Sequence, residues 1–393
     1  MSLVRCGTYE PGTVEAALRH SIDLIGGIEK YISPGWRVVL KVNLLTAAAP
    51  EKAITTHPSV VLALSNLVRG AGAHPVVADS PGPIPHTTAG LKMACRGAGL
   101  LELEEKGLLE LNWDTGVVGL PCPSGKVIKR FEVMRPVAES DAVIAVPKLK
   151  THMLTSLTGA TKILFGVIPG YTKAGYHAKL QEGSQFAEML LDIILAVKPA
   201  LYVMDGIIAL QGDGPGFHGQ PRPLGLIMAS DDAVAMDAVT CSLIGFDPMD
   251  IPMLRAAAGR GWWDGRMDSL NVKGESLKSL KVNDFVKPSR VTADPGSLDR
   301  MVWHKRMWGP LFKQGFTLRP LPNRRCTGCS TCVRVCPQKA VTLRQGRAWI
   351  DDERCIRCYC CHEMCPEAAI DLKYGLLGRT IRRLGMLGRE TSV

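Results

Sequence analysis

The sequence predicts an α/β fold, a mostly parallel open sheet with helices on both faces, followed by a small α+β domain. Three observations predict it. Over residues 1–290, short apolar, β-branched runs alternate with helical stretches. Those runs are continuously apolar, as strands covered on both faces must be. Nine of the 13 cysteines then crowd into positions 326–365, a shift in composition that marks a second domain.

The strand candidates are 38–42, 75–78, 142–146, 201–204 and 224–228, rich in Val, Ile, Leu, Ala and Met. Helices are expected between them over 14–28, 58–69, 87–96, 186–197 and 232–244. The residues just past each strand carry the chemistry. The first strand ends in Lys41-Val42-Asn43 and the second in Asp79-Ser80-Pro81-Gly82. The third ends in Pro147-Lys148-Leu149-Lys150-Thr151-His152, the fourth in Asp205-Gly206, the fifth in Ser230-Asp231-Asp232. Open parallel sheets bind ligands outside the carboxyl ends of their strands, so all five deliver polar groups to one rim. Asp79, Ser230 or Asp231 taken singly could be a plain helix cap.

Two glycine-rich loops are expected at the same rim. One spans 159–170, contains Lys162 and leads to Lys173 and His177; the other spans 205–219 and contains Asp213. Glycine lets backbone N–H groups approach an anion closely. Neither loop has the strand–loop–helix fingerprint of a dinucleotide site or the G-K-S/T ending of a phosphate loop, so no NAD or ATP site is expected. Ser-His-Asp order and H-E-x-x-H are also missing. A lone lysine is normally a solvated one. Lys41, Lys148, Lys150, Lys162 and Lys173 together, beside His152 and His177, suit an anionic substrate such as a carboxylate or phosphate. A lysine crowded by other cations can also shed its proton and act as base or nucleophile.

The cysteines fall into two repeats. Cys326-x2-Cys329-x2-Cys332-x3-Cys336-Pro337 is echoed by Cys355-x2-Cys358-x2-Cys361-x3-Cys365-Pro366. Three thiolates at every third residue can wrap one cluster, and the fourth, before proline, belongs to the other cluster. That is the pattern of a ferredoxin-type module with two 4Fe-4S clusters. Cys326, Cys329, Cys332 and Cys365 would hold one; Cys355, Cys358, Cys361 and Cys336 the other. Zinc modules set two C-x-x-C pairs well apart instead. Cys360, the ninth cysteine, reads as a buried neighbour of the cluster. A strand over 339–343, a turn at Gly346 and a return strand over 348–351 are expected between the repeats, with a further strand near 367–372.

The formal net charge is +10. Much of it flanks the module: six Lys/Arg and no acid over 301–325, and a basic amphipathic tail over 373–393. The organisation expected is an α/β domain over 1–290, a basic and aromatic linker over 291–321, the cluster domain over 322–372, and the tail. Trp303, Trp308 and Phe312 of the linker suit packing on apolar surface. Contact with an anionic membrane surface and docking of an acidic redox partner are the other readings of this charge. No nucleic-acid module is present. No secretory signal and no span of roughly 18 apolar residues is found, so a cytoplasmic protein, peripheral to a membrane at most, is expected.

The chain resembles domain-of-unknown-function family 362 in its ferredoxin-fused form. The resemblance rests on the strand end 41–43, Thr56-His57-Pro58-Ser59-Val60-Val61, Asp79-Ser80-Pro81-Gly82, and Pro147 through His152. It also rests on the loops 159–170 and 205–216 and on Asp232-Ala233-Val234-Ala235-Met236-Asp237-Ala238-Val239. It implies an α/β fold with a shared site. A more distant similarity is to the nickel-pincer lactate racemase domain, which also places lysine and histidine at such a rim.

These features together suggest an iron–sulfur oxidoreductase. Lys148, Lys150, His152 and Lys162 would position or protonate the substrate. Lys41, Asn43, Lys173, His177, Asp79, Asp205 and Asp213 would bind it, the aspartates holding polar groups or an additional divalent metal. Two alternatives remain open at this point: an electron carrier or adaptor whose α/β domain recognises a partner, and a non-redox, racemase-like enzyme with structural clusters.

Overall fold

The computed structural model describes residues 1–82, 84–170, 172–180, 182–289 and 318–374. The expected Trp303, Trp308 and Phe312 packing and almost all of the basic tail lie outside these residues. The chain divides into two compact units, Met1–Pro288 and Ser289–Val393.

The first unit is built on a nine-stranded sheet. In chain order its strands are β1 (Ser2–Arg5), β2 (Arg37–Val42), β3 (His74–Ala78), then β6 (Ala142–Val146), β7 (Lys148–His152) and β8 (Ser156–Thr158). β9 (Leu201–Gly212), β10 (Gly219–Ser230) and β11 (Lys273–Gly274) complete it. A separate antiparallel hairpin joins β4 (Val117–Pro121) to β5 (Arg130–Met134). The spatial order is β11-β1-β10-β9-β6-β2-β3, with β7 beside β9 and β8 beside β7. β3, β2, β6 and β9 run parallel, while β10 and β1 extend the sheet antiparallel.

Both faces are covered because both sets of alternating side chains are apolar. Val38, Leu40 and Val42 of β2 join Val14 and Leu18 of the helix Pro11–Asp23 and Val60 and Leu64 of the helix Pro58–Gly70. Val39, on the opposite face, joins Phe186 and Leu190 of the helix Gly183–Val197 and Val234 of the helix Ala233–Leu243. Each such side chain contributes about 1.5–3 kcal/mol when taken fully out of water. Lys41 follows Val39 on the same face, which is how a lysine comes to lie in the interior.

Two loops expected from the sequence are strands. Residues 148–152 form β7, and β9 runs on through Asp205 to Gly212, paired with β10 along its length. The polar residues that suggested loops are tolerated mid-sheet because they answer one another: Lys148 lies opposite Asp205 in the β7–β9 register. The fifth strand end serves the scaffold. Asp232 accepts the N–H groups of Val234 and Ala235 and caps its helix, Ser230 accepts from Asp232 N–H, and Asp231 pairs with Lys30 at 3.2 Å near the surface.

The second unit is small. β12 (Leu318–Pro322), at the end of the segment expected to be linker, pairs antiparallel with β15 (Ile370–Tyr374). β13 (Val341–Arg344) turns at Gln345 and Gly346, both at positive φ, into β14 (Arg347–Ile350). Val341, Ala348, Ala369 and Ile370 close around Cys332, Cys361 and Cys365. Among the described residues no helix is long and apolar enough to cross a membrane.

Candidate functional site

The rim residues of the first unit are drawn inward. Lys41 is fully buried, with Nζ 2.8 Å from Asp79 Oδ1, and donates to the Val42 carbonyl at 2.6 Å. Asp79 also accepts the N–H groups of Leu44 and Ser80, at 2.6 and 2.8 Å. Gly166 of the glycine-rich loop lies over this pair so closely that any Cβ would collide with both side chains. The glycine is needed for the approach.

A second ion pair joins β7 to β9. Lys148 Nζ donates to Asp205 Oδ2 at 2.8 Å and to Tyr9 Oη at 2.6 Å, and Tyr9 donates to Asp205 Oδ1 at 2.9 Å. His57 stacks on Tyr9 with ring centroids 3.5 Å apart and donates its backbone N–H to Asp205. Burial holds the His57 imidazole down to about 4, hence neutral, and pushes the Tyr9 phenol far above its ordinary value. Tyr9 is a site residue that sequence reasoning missed, and His57 entered only through the family resemblance.

Lys150 and Lys173 find neutral acceptors instead. Lys150 is buried and donates to Asn43 Oδ1 at 2.6 Å and to the Ile54 carbonyl at 2.8 Å. Burial, reinforced by Lys162, holds its ammonium well below the ordinary lysine range. Lys173 donates to the Ser80 carbonyl at 2.5 Å, and burial brings it down to about 7. His152 accepts the Leu154 N–H on Nδ1 at 3.0 Å, and its Nε2 lies 2.7 Å from Lys162 Nζ. Burial keeps this imidazole neutral. Lys162, beside Nε2, adds to burial in holding the ring neutral. His177 stacks on Phe186 at 4.7 Å, with Phe165 at its edge; burial, then Lys162, depress it to about 3.

The structure therefore pairs Lys41 with Asp79, Lys148 with Asp205, Lys150 with Asn43 and His152 with Lys162. It sets Lys41, Asp79 and Lys162 within electrostatic reach of both Lys150 and Lys173, and His177 within reach of Lys162. Asp213 lies in the β9–β10 connection, whose Gly214 packs against Thr151 of β7. Asp79 and Asp205 are committed to lysines, and among the described residues no three His, Cys, Asp or Glu side chains gather around a single metal ion. The segment bearing Lys162, expected as a loop, is helical, with an α-turn over Ala160–Ile163 and a 3-10 turn over Leu164–Val167, and it is anchored from behind. Asp237 accepts from Ala160 N–H, Thr161 N–H and the Thr161 hydroxyl, and burial raises its carboxyl to about 6.

In the second unit the cysteines line two cavities. Cys326, Cys329, Cys332 and Cys365 border the first; Cys336, Cys355, Cys358 and Cys361, with Cys360, border the second. Each set takes its fourth thiol from the other repeat. The thiols surround space instead of meeting at a point, which fits a polynuclear cluster and not a single zinc ion. Backbone N–H groups of Ala340, Ala348 and Ala369 point at Cys336, Cys326 and Cys365 sulfurs at 3.2, 3.4 and 3.2 Å, the donors a thiolate would accept from.

The family model described as a domain of unknown function, DUF362, matches residues 38–242. That of a 4Fe-4S dicluster domain matches 325–370. A thylakoid-associated protein of Synechocystis is 35% identical over 263 residues, 65% of this chain and 78% of the relative. Among solved structures, the lactate racemase apoprotein from Thermoanaerobacterium thermosaccharolyticum superposes with a TM-score of 0.38 at 14% identity, over 59% of this chain and 54% of that one. A Thermotoga maritima protein gives 0.35 at 13%, over 70% and 62%. Likenesses of this extent carry no functional inference.

Proposed function

The chain belongs to the DUF362 family and carries a 4Fe-4S ferredoxin-type domain for electron transfer, and on that premise we propose that it is an iron–sulfur oxidoreductase acting on a small anion. Two 4Fe-4S clusters, held by the two cysteine sets, would supply one-electron storage. The substrate would lie at the lysine and histidine rim of the first unit.

One observation carries the substrate assignment: Lys150 and Lys173 are buried ammonium sites whose acceptors are neutral oxygens. A buried charge needs an opposite one or loses its proton. An arriving carboxylate or phosphate supplies that opposite charge, and Lys150 and Lys173 then bind and orient it. Lys162, 2.7 Å from His152, would take or return a proton. Lys41 and Lys148, each with its own aspartate, hold the walls. The reading keeps the protein in the cytoplasm, with a redox partner; the name of the thylakoid-associated relative supports contact with a membrane surface.

Anaerobic purification from native cells, with mass spectrometry of co-purifying small molecules, tests the assignment. A small anion is expected with the parent protein. It is lost in a Lys150→Met, His152→Phe double variant that keeps its iron. A double variant that retains both ligand and turnover refutes the site. Turnover that persists with the clusters locked in one oxidation state turns the reading toward non-redox proton transfer, for which the Lys162–His152 contact is suited.

A further inference from the structure

Charge in the second unit is divided by position. From 318 to 350 there are seven Lys/Arg and no Asp or Glu, and all the acidic side chains of the described module fall between 351 and 371. The basic half contains three of the thiols of the first cavity. Arg324, Arg325, Arg334, Arg344 and Arg347 are all exposed, and so is Cys329. They gather for structural reasons. Gly328, inside the cysteine loop, lies against Gly346 at the tip of the β13–β14 hairpin so tightly that a Cβ would strike its carbonyl. This sets Arg344 and Arg347, on either side of the tip, next to the loop. Arg334 donates to the Cys329 carbonyl at 3.3 Å, and the Arg344 guanidinium stacks 3.4 Å over Trp349. Leu343, which lines the cavity, and Trp349 are 41% and 38% exposed. The second cavity has no exposed thiol: Cys336, Cys355 and Cys358 are half-buried and Cys361 is buried.

We propose that this arginine-rimmed, partly apolar face around Cys329 docks an acidic one-electron protein and is where electrons enter or leave the chain. The inference rests on the iron–sulfur reading of the nests. Exposed apolar side chains rimmed mostly by arginine, with Glu367 the one acid that also lines the first cavity, give contact area at the centre and steering at the edge. The stacked Arg344 is pre-ordered for a carboxylate. An anionic lipid surface would answer the charge but has no centre to give or take an electron at Cys329. In the step itself the partner's redox centre is oxidised by one electron as the loaded first nest is reduced.

The test uses the full-length, iron-replete protein and stopped-flow reduction by photoreduced flavodoxin, an acidic donor. The rate constant is expected to fall roughly tenfold from low to high salt. Arg344→Glu with Arg347→Glu should lower it by about tenfold at low salt, whereas the lysine pair restores most of it. Reduction by photoreduced deazaflavin, a small donor, stays unchanged. Arg354→Glu, an exposed reversal in the acidic half, should alter the rate by less than about twofold. A salt-independent rate, or an equal loss with Arg354→Glu, overturns the proposal. So does a double variant that loses binding to phosphatidylglycerol vesicles while keeping its flavodoxin rate. Protein that purifies without iron under anaerobic conditions would instead sink the iron–sulfur reading beneath it.

Discussion

The two units bury polar groups by opposite means. The α/β unit carries its own counter-charges, Asp79 against Lys41 and Asp205 against Lys148. The cysteine nests bring only thiols, which become anions when a metal takes their protons. Lys150 and Lys173 resemble the nests more than their neighbours, since their acceptors are neutral. The contrast separates scaffold from site. A buried charge with a carboxylate in direct contact is architecture; one whose direct acceptors are all neutral is where a ligand is proposed to belong.

The largest effect is expected where the unit has no counter-charge of its own. Replacing Cys332, a buried thiol of the first nest, with serine should remove about half of the bound iron. Iron analysis and electron paramagnetic resonance would show it, with the thermal transition of the α/β unit unmoved. Full iron retention would break the comparison. The matched pairs predict a stability effect instead. Asp205→Leu strands Lys148 in the interior and should cost about 3–5 kcal/mol by urea unfolding, and adding Lys148→Met should recover part of it. A single variant as stable as the parent would show that the pair is not architecture.

The smallest effect sharpens the middle case. Burial lowers Lys173 to about 7 from the ordinary 10.5. Its folded value lies below its unfolded one, so between these limits the unfolded chain binds the extra proton and stability rises with pH. A bound anion favours the protonated amine. Sulfate affinity, measured by calorimetry, should therefore fall roughly tenfold between about pH 6 and about pH 8, and Lys173→Met should flatten the dependence. An unchanged profile in that variant would assign the titration elsewhere.

Legibility in the sequence tracks how local each pattern is. The cysteine ligands repeat within a few residues, and the crossing rule of two-cluster ferredoxins sorts them into the two sets that line the two cavities. The strands 38–42, 75–78 and 142–146 were legible because a strand buried on both faces is apolar almost throughout, Lys41 being the exception. The long β9–β10 hairpin was not: Asp205-Gly206 and Gln211-Gly212 have loop chemistry, and only Lys148, from another strand, makes Asp205 acceptable mid-sheet. Tyr9 gave no signal because its role depends on partners at positions 57, 148 and 205. The rim lysines were visible as a set. Their division into matched and unmatched members required coordinates.

The exchange of the fourth thiol between repeats also has a bearing on biosynthesis. The first nest waits for Cys365 and the second for Cys361, both in the second repeat. Neither nest has its full set of four thiols while the second repeat is still untranslated, although the α/β unit ahead of them can already fold. Both sets of reduced thiols are therefore complete together only once the second repeat is made, and a truncation anywhere before Cys361 leaves both nests without a full set of ligands.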